Sequence, residues 1–355
     1  MNTAAYFSGL FNSLHKVFLM LSIVICWGCT SNTDTEKHQK NRNNIINIQE
    51  RIKEINTEEN PITAWGIPHI LGDYLLVSDY KSPDKLVYIF DKNNFKYITS
   101  TGDRGQGPGE ISNMGRIATN EAEQIFYLTD HGSEKVLSFR LDSVLLNPDY
   151  IPSVKANIKT ELFPFNYQYV NDTLSYGLFW DVTNNGDYKP IVTKWNMNTG
   201  EIIPMKYSGH PELKRKRVSF AVSIENGIYV ECYWYNDLMS ICNLNGDLLY
   251  NIYGKIWDTK TTNEDLYFQD VMFCKDKIVA SYWGSNNFYK KKNGELSSNY
   301  PDKFLIFDLN GNYQKTLNIG SQLLSCCYDK ENNRIIMNLD GDIQFGYLDL
   351  DGIIE

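Results

Sequence analysis

Four glycines and a proline fall between Gly102 and Glu110 in the stretch GDRGQGPGE. Glycine-dense turns with free backbone N–H groups are the material of phosphate cradles, which need a helix after the turn and usually a Lys-Ser or Lys-Thr pair. Here no lysine follows, and the next segment, RIATNEAEQIFYLTD, has the β-branched and aromatic character of strands. The glycines are therefore read as a sharp passage between strands. His69, His131 and His210 are far apart and show no metal-ligand spacing. Neither Gly-x-Ser-x-Gly nor His-Glu-x-x-His occurs. Asp79 and Asp130 each end a strand-like run. They could hold calcium or act as a carboxylate pair, the alternative being turn formation. These residues predict no bound metal and no cofactor.

A second group is richer. GLFWD, ECYWY and ASYWG bring Trp180, Trp234 and Trp283 to matching strand ends, and the segments after them add Tyr235 and Tyr289. Two cationic runs lie nearby in sequence, Lys214-Arg215-Lys216-Arg217 and Lys290-Lys291-Lys292, and Arg104 sits in the glycine loop. Aromatic faces beside cations suit a ligand with an apolar ring face and negative charge, such as an acidic sugar chain. The alternative is tryptophans packed in the core and lysines that are solvated loop charges.

The elements that must position these groups are strands. From about residue 60, short runs such as YLLVSDY and KLVYIFD are broken by Asn, Asp and Gly. One phrase recurs: an apolar strand, a polar turn, then a second strand. It appears as VYIFDKNNFKYITSTG, LSFRLDSVLLNPDY, VTKWNMNTGEIIPMKYSG, SICNLNGDLLYNIYG, LIFDLNGNYQKTLNIG and FGYLDLDGIIE. Phe90, Phe139, Trp195, Cys242, Phe307 and Tyr347 then become equivalent, and Asn-Gly or Asp-Gly pairs mark three hairpin turns. Two further strands precede each phrase, giving six units of four strands. Radial repetition of four-stranded sheets predicts an all-β fold, a six-bladed β-propeller over residues 45–355. The final phrase is too short for an outer strand. Residues 45–55, IINIQERIKEI, are expected either to supply that strand and close the ring or to form an amphipathic helix. In this topology the ends of the second strands and the links between blades share one face, which gathers the tryptophans, the glycine loop and both cationic runs.

FDKNNFKYITSTGDRGQGPGEIS followed by IFYLTDHGSEKVLSF is similar to NHL-type repeats and resembles still more closely the TolB-like six-bladed propeller lipoproteins of bacteria. Gly105, Gly107, Pro108, Gly109 and Glu110 match that family's Gly-x-Gly-Pro-Gly-Glu segment, and the likeness is strongest over residues 72–142. The resemblance implies a propeller in the cell envelope and no particular activity.

The N-terminus fits that location. Residues 17–27, VFLMLSIVICW, form an apolar run preceded by His15 and Lys16. It is shorter than the roughly 20 residues of a membrane span and has the length of a signal-peptide core. Gly28 stands before Cys29 as in a lipobox, although Trp27 departs from the usual small residue. Residues 1–28 are therefore expected to be a lipoprotein signal, Cys29 the lipidated residue, and residues 29–44 a disordered polar tether. The expected place is the bacterial envelope, lipid-anchored to the outer membrane on its periplasmic side or at the surface. Five cysteines remain in the body, Cys232, Cys242, Cys274, Cys326 and Cys327, and are expected to be buried thiols. A net charge of −9 argues against nucleic acid as a partner. Three functional classes stay open: a module binding a glycan or an envelope protein, a polysaccharide lyase or hydrolase with groups around the central channel, and a structural subunit of an envelope complex.

Overall fold

In the computed structural model, six inner strands surround a central channel: Gly66–Leu71, Met114–Asn120, Leu162–Asn171, Val218–Ser223, Asp265–Cys274 and Gln322–Asp329. The structure describes residues 35–39, 41–57, 60–182, 188–260, 265–286, 288–290 and 294–354, and Lys37–Glu355 form one compact unit. Each inner strand opens a blade of four antiparallel strands, so the fold is an all-β six-bladed propeller. Phe90, Phe139, Trp195, Cys242, Phe307 and Tyr347 all lie in third strands, within Lys85–Asp91, Lys135–Arg140, Tyr188–Trp195, Leu238–Asn243, Lys303–Asp308 and Phe345–Asp349. Second strands such as Ile125–Asp130 and Ile228–Tyr233 are buried along their whole length. The cause is the sandwiching of each blade between two neighbours. One apolar cluster, for instance, joins Leu76 and Ile89 of blade one to Phe126 and Phe139 of blade two.

The ring closes with an N-terminal strand. Lys53–Ile55 pairs antiparallel with Phe345–Asp349 and is the outer strand of blade six. Just before it, Ile45–Asn47 pairs parallel with Tyr313–Asn318, the outer strand of blade five. Gln49–Arg51 is a single 3-10 turn, not an amphipathic helix. The tether reading of residues 29–44 needs shortening. The backbone N–H of Gln39 donates to the Tyr253 carbonyl at 2.8 Å, and Lys37 sits 3.6 Å over the Tyr250 ring. Arg42 forms a 2.8 Å ion pair with buried Asp237. Polar composition hid these bonds, because the strap is held by backbone pairing and one buried charge pair. Cys29, the apolar run and the rest of residues 1–34 lie outside the described residues.

Two other local readings change. In blade two the expected hairpin turn is a short helix, Leu141–Leu146, whose buried Leu141 and Val144 lie on one face. In blade five a small hairpin, Phe288–Lys290 with Leu296–Ser298, is inserted between the second and third strands. The five body cysteines are free thiols, three of them fully buried.

Candidate functional site

The glycine loop is a folded corner. The Gly107 N–H donates to Glu110 Oε2 at 2.7 Å, so the carboxylate folds back into its own loop. A Cβ on Gly105 would lie 1.9 Å from that oxygen, which is why glycine stands there. Arg104 does not reach the cationic face: it donates to the Tyr80 and Ser82 carbonyls and ties the corner to blade one.

Asp79 and Asp130 are loop holders. Asp79 accepts from the Thr63 N–H at 2.7 Å, its hydroxyl at 2.9 Å and the Lys81 N–H at 3.0 Å. Asp130 accepts from the Asn113 N–H at 2.8 Å, the Ser112 hydroxyl at 3.1 Å and the Gly132 N–H at 3.1 Å. Both are fully buried. Among the described residues, no cluster of three or more His, Cys, Asp and Glu is arranged to hold a metal. Burial alone would raise the Asp130 pKa, but hydrogen bonds from Ser133, Asn113, Ser112 and Gly132 outweigh it and hold the carboxyl below its ordinary range. A folded-state pKa below the unfolded value gives stability that is present above about pH 3.9 and lost as pH falls through the folded value. Asp130→Ala is expected to cost about 2–4 kcal/mol by stranding buried N–H groups. It should also remove part of the acid-dependent loss seen in the native chain. Denaturant midpoints measured between pH 7 and pH 3 check both; an equal acid response in the two proteins contradicts the assignment.

The cationic run, by contrast, builds a cavity. Strand register in blade three sets Phe163 opposite Trp180 and Trp180 opposite Pro190, three positions in line across the sheet. Tyr188 stands edge-on to Trp180, with ring centroids 6.1 Å apart. This is one wall of a cavity of about 1040 Å³. The other wall is the loop from blade three to blade four, which contributes His210 and Lys214, Arg215, Lys216 and Arg217. Lys189 adds a fifth cation from blade three, and no carboxylate lines the cavity among the described residues. In a chain of net charge −9, that is a local reversal of sign.

The loop is pinned at three points. The His210 N–H donates to the Tyr233 hydroxyl at 3.0 Å. Its Nδ1 accepts from the Glu212 N–H at 3.3 Å, so Nε2 donates to the Tyr253 hydroxyl at 2.9 Å. Gly209, at φ +117, leaves room for the Lys216 side chain, which a Cβ would meet at 3.0 Å. Lys216 ends 2.7 Å from Oε2 of buried Glu231. Arg217 lies 4.0 Å over the Trp234 ring, and Arg215 lies 4.6 Å over Tyr235. Lys189 and Lys214 are exposed. Burial pushes the Tyr233 and Tyr207 hydroxyls above their ordinary range.

The sequence-selected aromatics separate. Trp180 lines the cavity. Trp234 is half-buried; Arg217 covers its ring, and its Nε1 donates to the Ser219 hydroxyl at 2.7 Å. Trp283 is 5% exposed and donates to the Asn299 carbonyl at 2.8 Å. Tyr235 is also buried, accepting a hydrogen bond from Arg217 at 3.3 Å. Tyr289 is exposed on the inserted hairpin of blade five and does not line the cavity. The Lys290 side chain, Lys291 and Lys292 lie outside the described residues. Sequence reasoning missed Phe163, Tyr188, Lys189 and His210. Tyr188 and Lys189 stand just after the Trp180 strand end in NNGDYKP, and an aromatic-lysine pair in that link was the available signal.

A second cavity, of about 540 Å³, is the central channel, lined by residues from all six inner strands. Its His69 is neutral: burial, then the Arg116 charge, push the pKa down to about 3. The charges at its mouth are balanced, with Lys330 3.1 Å from Glu225.

Comparison with known proteins adds to this geometry. Residues 36–185 match the model of a family, DUF5128, described as 6-bladed beta-propeller. A solved DUF4221-family protein from Bacteroides vulgatus aligns with a TM-score of 0.59 at 10% identity, covering 83% of this chain and 94% of that one. A candidate exported protein from Bacteroides fragilis gives 0.52 at 12% identity, covering 86% and 88%. A luciferin-regenerating enzyme gives 0.51 at 7% identity, covering 83% and 94%. At these identities the likeness is one of fold alone. No curated protein sequence matches the chain.

Proposed function

We propose that this propeller is a cell-envelope binding module that captures an anionic, ring-bearing ligand, an acidic oligosaccharide, in the cavity between blades three and four. The observation that carries the reading is the cavity itself, where a blade-three wall of Phe163, Trp180 and Tyr188, which also carries Lys189, faces Lys214 and Arg215 with no lining carboxylate among the described residues. A sugar ring stacks on indole through its apolar face, while its carboxylate pairs with the opposing cations. The reading of residues 1–28 as a lipoprotein signal, with Cys29 as the anchor, supports an envelope location, as do the TolB-like resemblance of Gly105–Glu110 and the likeness to a candidate exported protein.

Calorimetric titration of the protein with a galacturonic-acid trimer tests the reading against the methyl-esterified trimer. The acid form should bind, more weakly as salt rises, and the neutral ester should give little heat. Equal binding of both, or of neither, counts against it.

A further inference from the structure

Glu231 is out of place for its strand. It sits mid-way along Ile228–Tyr233, the second strand of blade four, opposite Phe220 on one side and Ser240 on the other. Its neighbours in sequence are Val230 and Cys232, and all three are fully buried. A carboxylate in such a place carries a heavy desolvation cost, and a β-branched apolar residue would serve the sheet better. Among the described residues, one cation reaches it. Lys216 Nζ lies 2.9 Å from Oε1, donating a hydrogen bond, and 2.7 Å from Oε2, which is held by charge alone. Lys216 is 9% exposed at its side chain, yet it lines the floor of the cavity between Lys214 and Arg217. The acid stands directly behind the ligand-facing cation.

We propose that Glu231 sets the anion affinity of this cavity, holding Lys216 as a neutral pair in the floor so that its charge is withheld from a ligand that meets the exposed Lys189 and Lys214. This rests on the reading of the cavity as an acidic-oligosaccharide site. The packing fixes the direction of Lys216: its aliphatic chain lies against Gly209, and its ammonium lies 5.9 Å over the Tyr207 ring on the Glu231 side. An incoming carboxylate would have to compete with a partner already in contact and fully desolvated. The pair therefore weakens capture. Without Glu231 the same loop would present one more unbalanced positive charge at short range, in a pocket where screening by water is reduced.

The test uses the full chain and the galacturonic-acid trimer at low salt. Glu231→Gln keeps the shape of the side chain and removes its charge; it should tighten binding about fivefold to thirtyfold, the effect of one added charge contact. The Glu231→Gln/Lys216→Met double variant should bind like the native protein. If Glu231→Gln does not fold, the double variant still decides: native-like affinity supports the proposal, and a tenfold loss shows Lys216 to be a direct ligand contact and overturns it. Unchanged affinity in a folded Glu231→Gln overturns it as well. If the native protein binds the trimer and Lys214→Ala weakens it while Glu231→Gln has no effect, the inference about Glu231 fails and the site stands. If the native protein does not bind the trimer, the site reading itself fails.

Discussion

Asp237→Ala is expected to destabilise the propeller by about 3–5 kcal/mol, the scale for breaking one side of a buried ion pair. Asp237 is 1% exposed at its side chain and Arg42 10%. Its second oxygen accepts from the Ile256 N–H at 3.3 Å, and Gly254 packs so closely that a Cβ there would lie 1.9 Å from it. Arg42 also donates to Gln39 Oε1 at 3.1 Å and lies over the rings of Tyr282 and Phe307 at 5.4 and 5.7 Å. The guanidinium is thus a wedge between blades four and five, and it pins the strap that continues into the closing strand of blade six. Removing the carboxylate leaves that charge buried and unpaired. Arg42→Met combined with Asp237→Ala should recover much of the loss, because a buried apolar side chain has no charge to strand. Denaturant midpoints of the two single variants and the double variant measure this. An Asp237→Ala midpoint within about 0.5 kcal/mol of the native one, the range of ordinary surface changes, would remove the strap from its assigned role.

The second large effect concerns binding. Lys214→Ala with Arg215→Ala should weaken capture of the acidic trimer by on the order of tenfold to a hundredfold, since hydrogen bonds to charged groups contribute about 1.5–3 kcal/mol. Both residues are exposed on the cavity wall. Fold stability should change modestly, because His210, Lys216 and Arg217 still anchor the loop while Arg215 gives up its stacking over Tyr235 at 4.6 Å. The residual affinity should lose part of its salt dependence. A matched pair on the opposite face, Lys275→Ala with Lys330→Ala, should leave binding unchanged. Loss of affinity in that pair but not in the first would move the site to the channel mouth.

The repeating part of the fold was legible because its cause is local. The polar turn after each third strand fixes a hairpin wherever it occurs, so Phe90 through Tyr347 could be aligned from the sequence. The Leu141–Leu146 helix broke the phrase in blade two because Leu141 and Val144, three apart, bury one helical face, a pattern too short to stand out beside the strand signal. Residues 37–44 read as a tether because their composition is polar. What holds them is a backbone bond to Tyr253 and an ion pair to Asp237, and both partners lie about two hundred residues away. The site was legible in part for a similar reason. Strand ends bring Trp180, Trp234 and Trp283 to the same face, and the sequence shows that. It does not show that Arg217 takes the Trp234 ring or that Trp283 turns inward to the Asn299 carbonyl. Glu231 was visible as an acid inside an apolar strand, but its partner comes from a loop whose path the strand pattern leaves open.

The most direct test is a structure of the protein crystallised with the galacturonic-acid trimer. The account predicts sugar density between blades three and four, one ring stacked on Trp180 and a carboxylate within hydrogen-bonding distance of Lys214 or Arg215, with Lys216 still paired to Glu231. Density in the central channel, or a trimer bound with the 214–217 loop untouched, would contradict it.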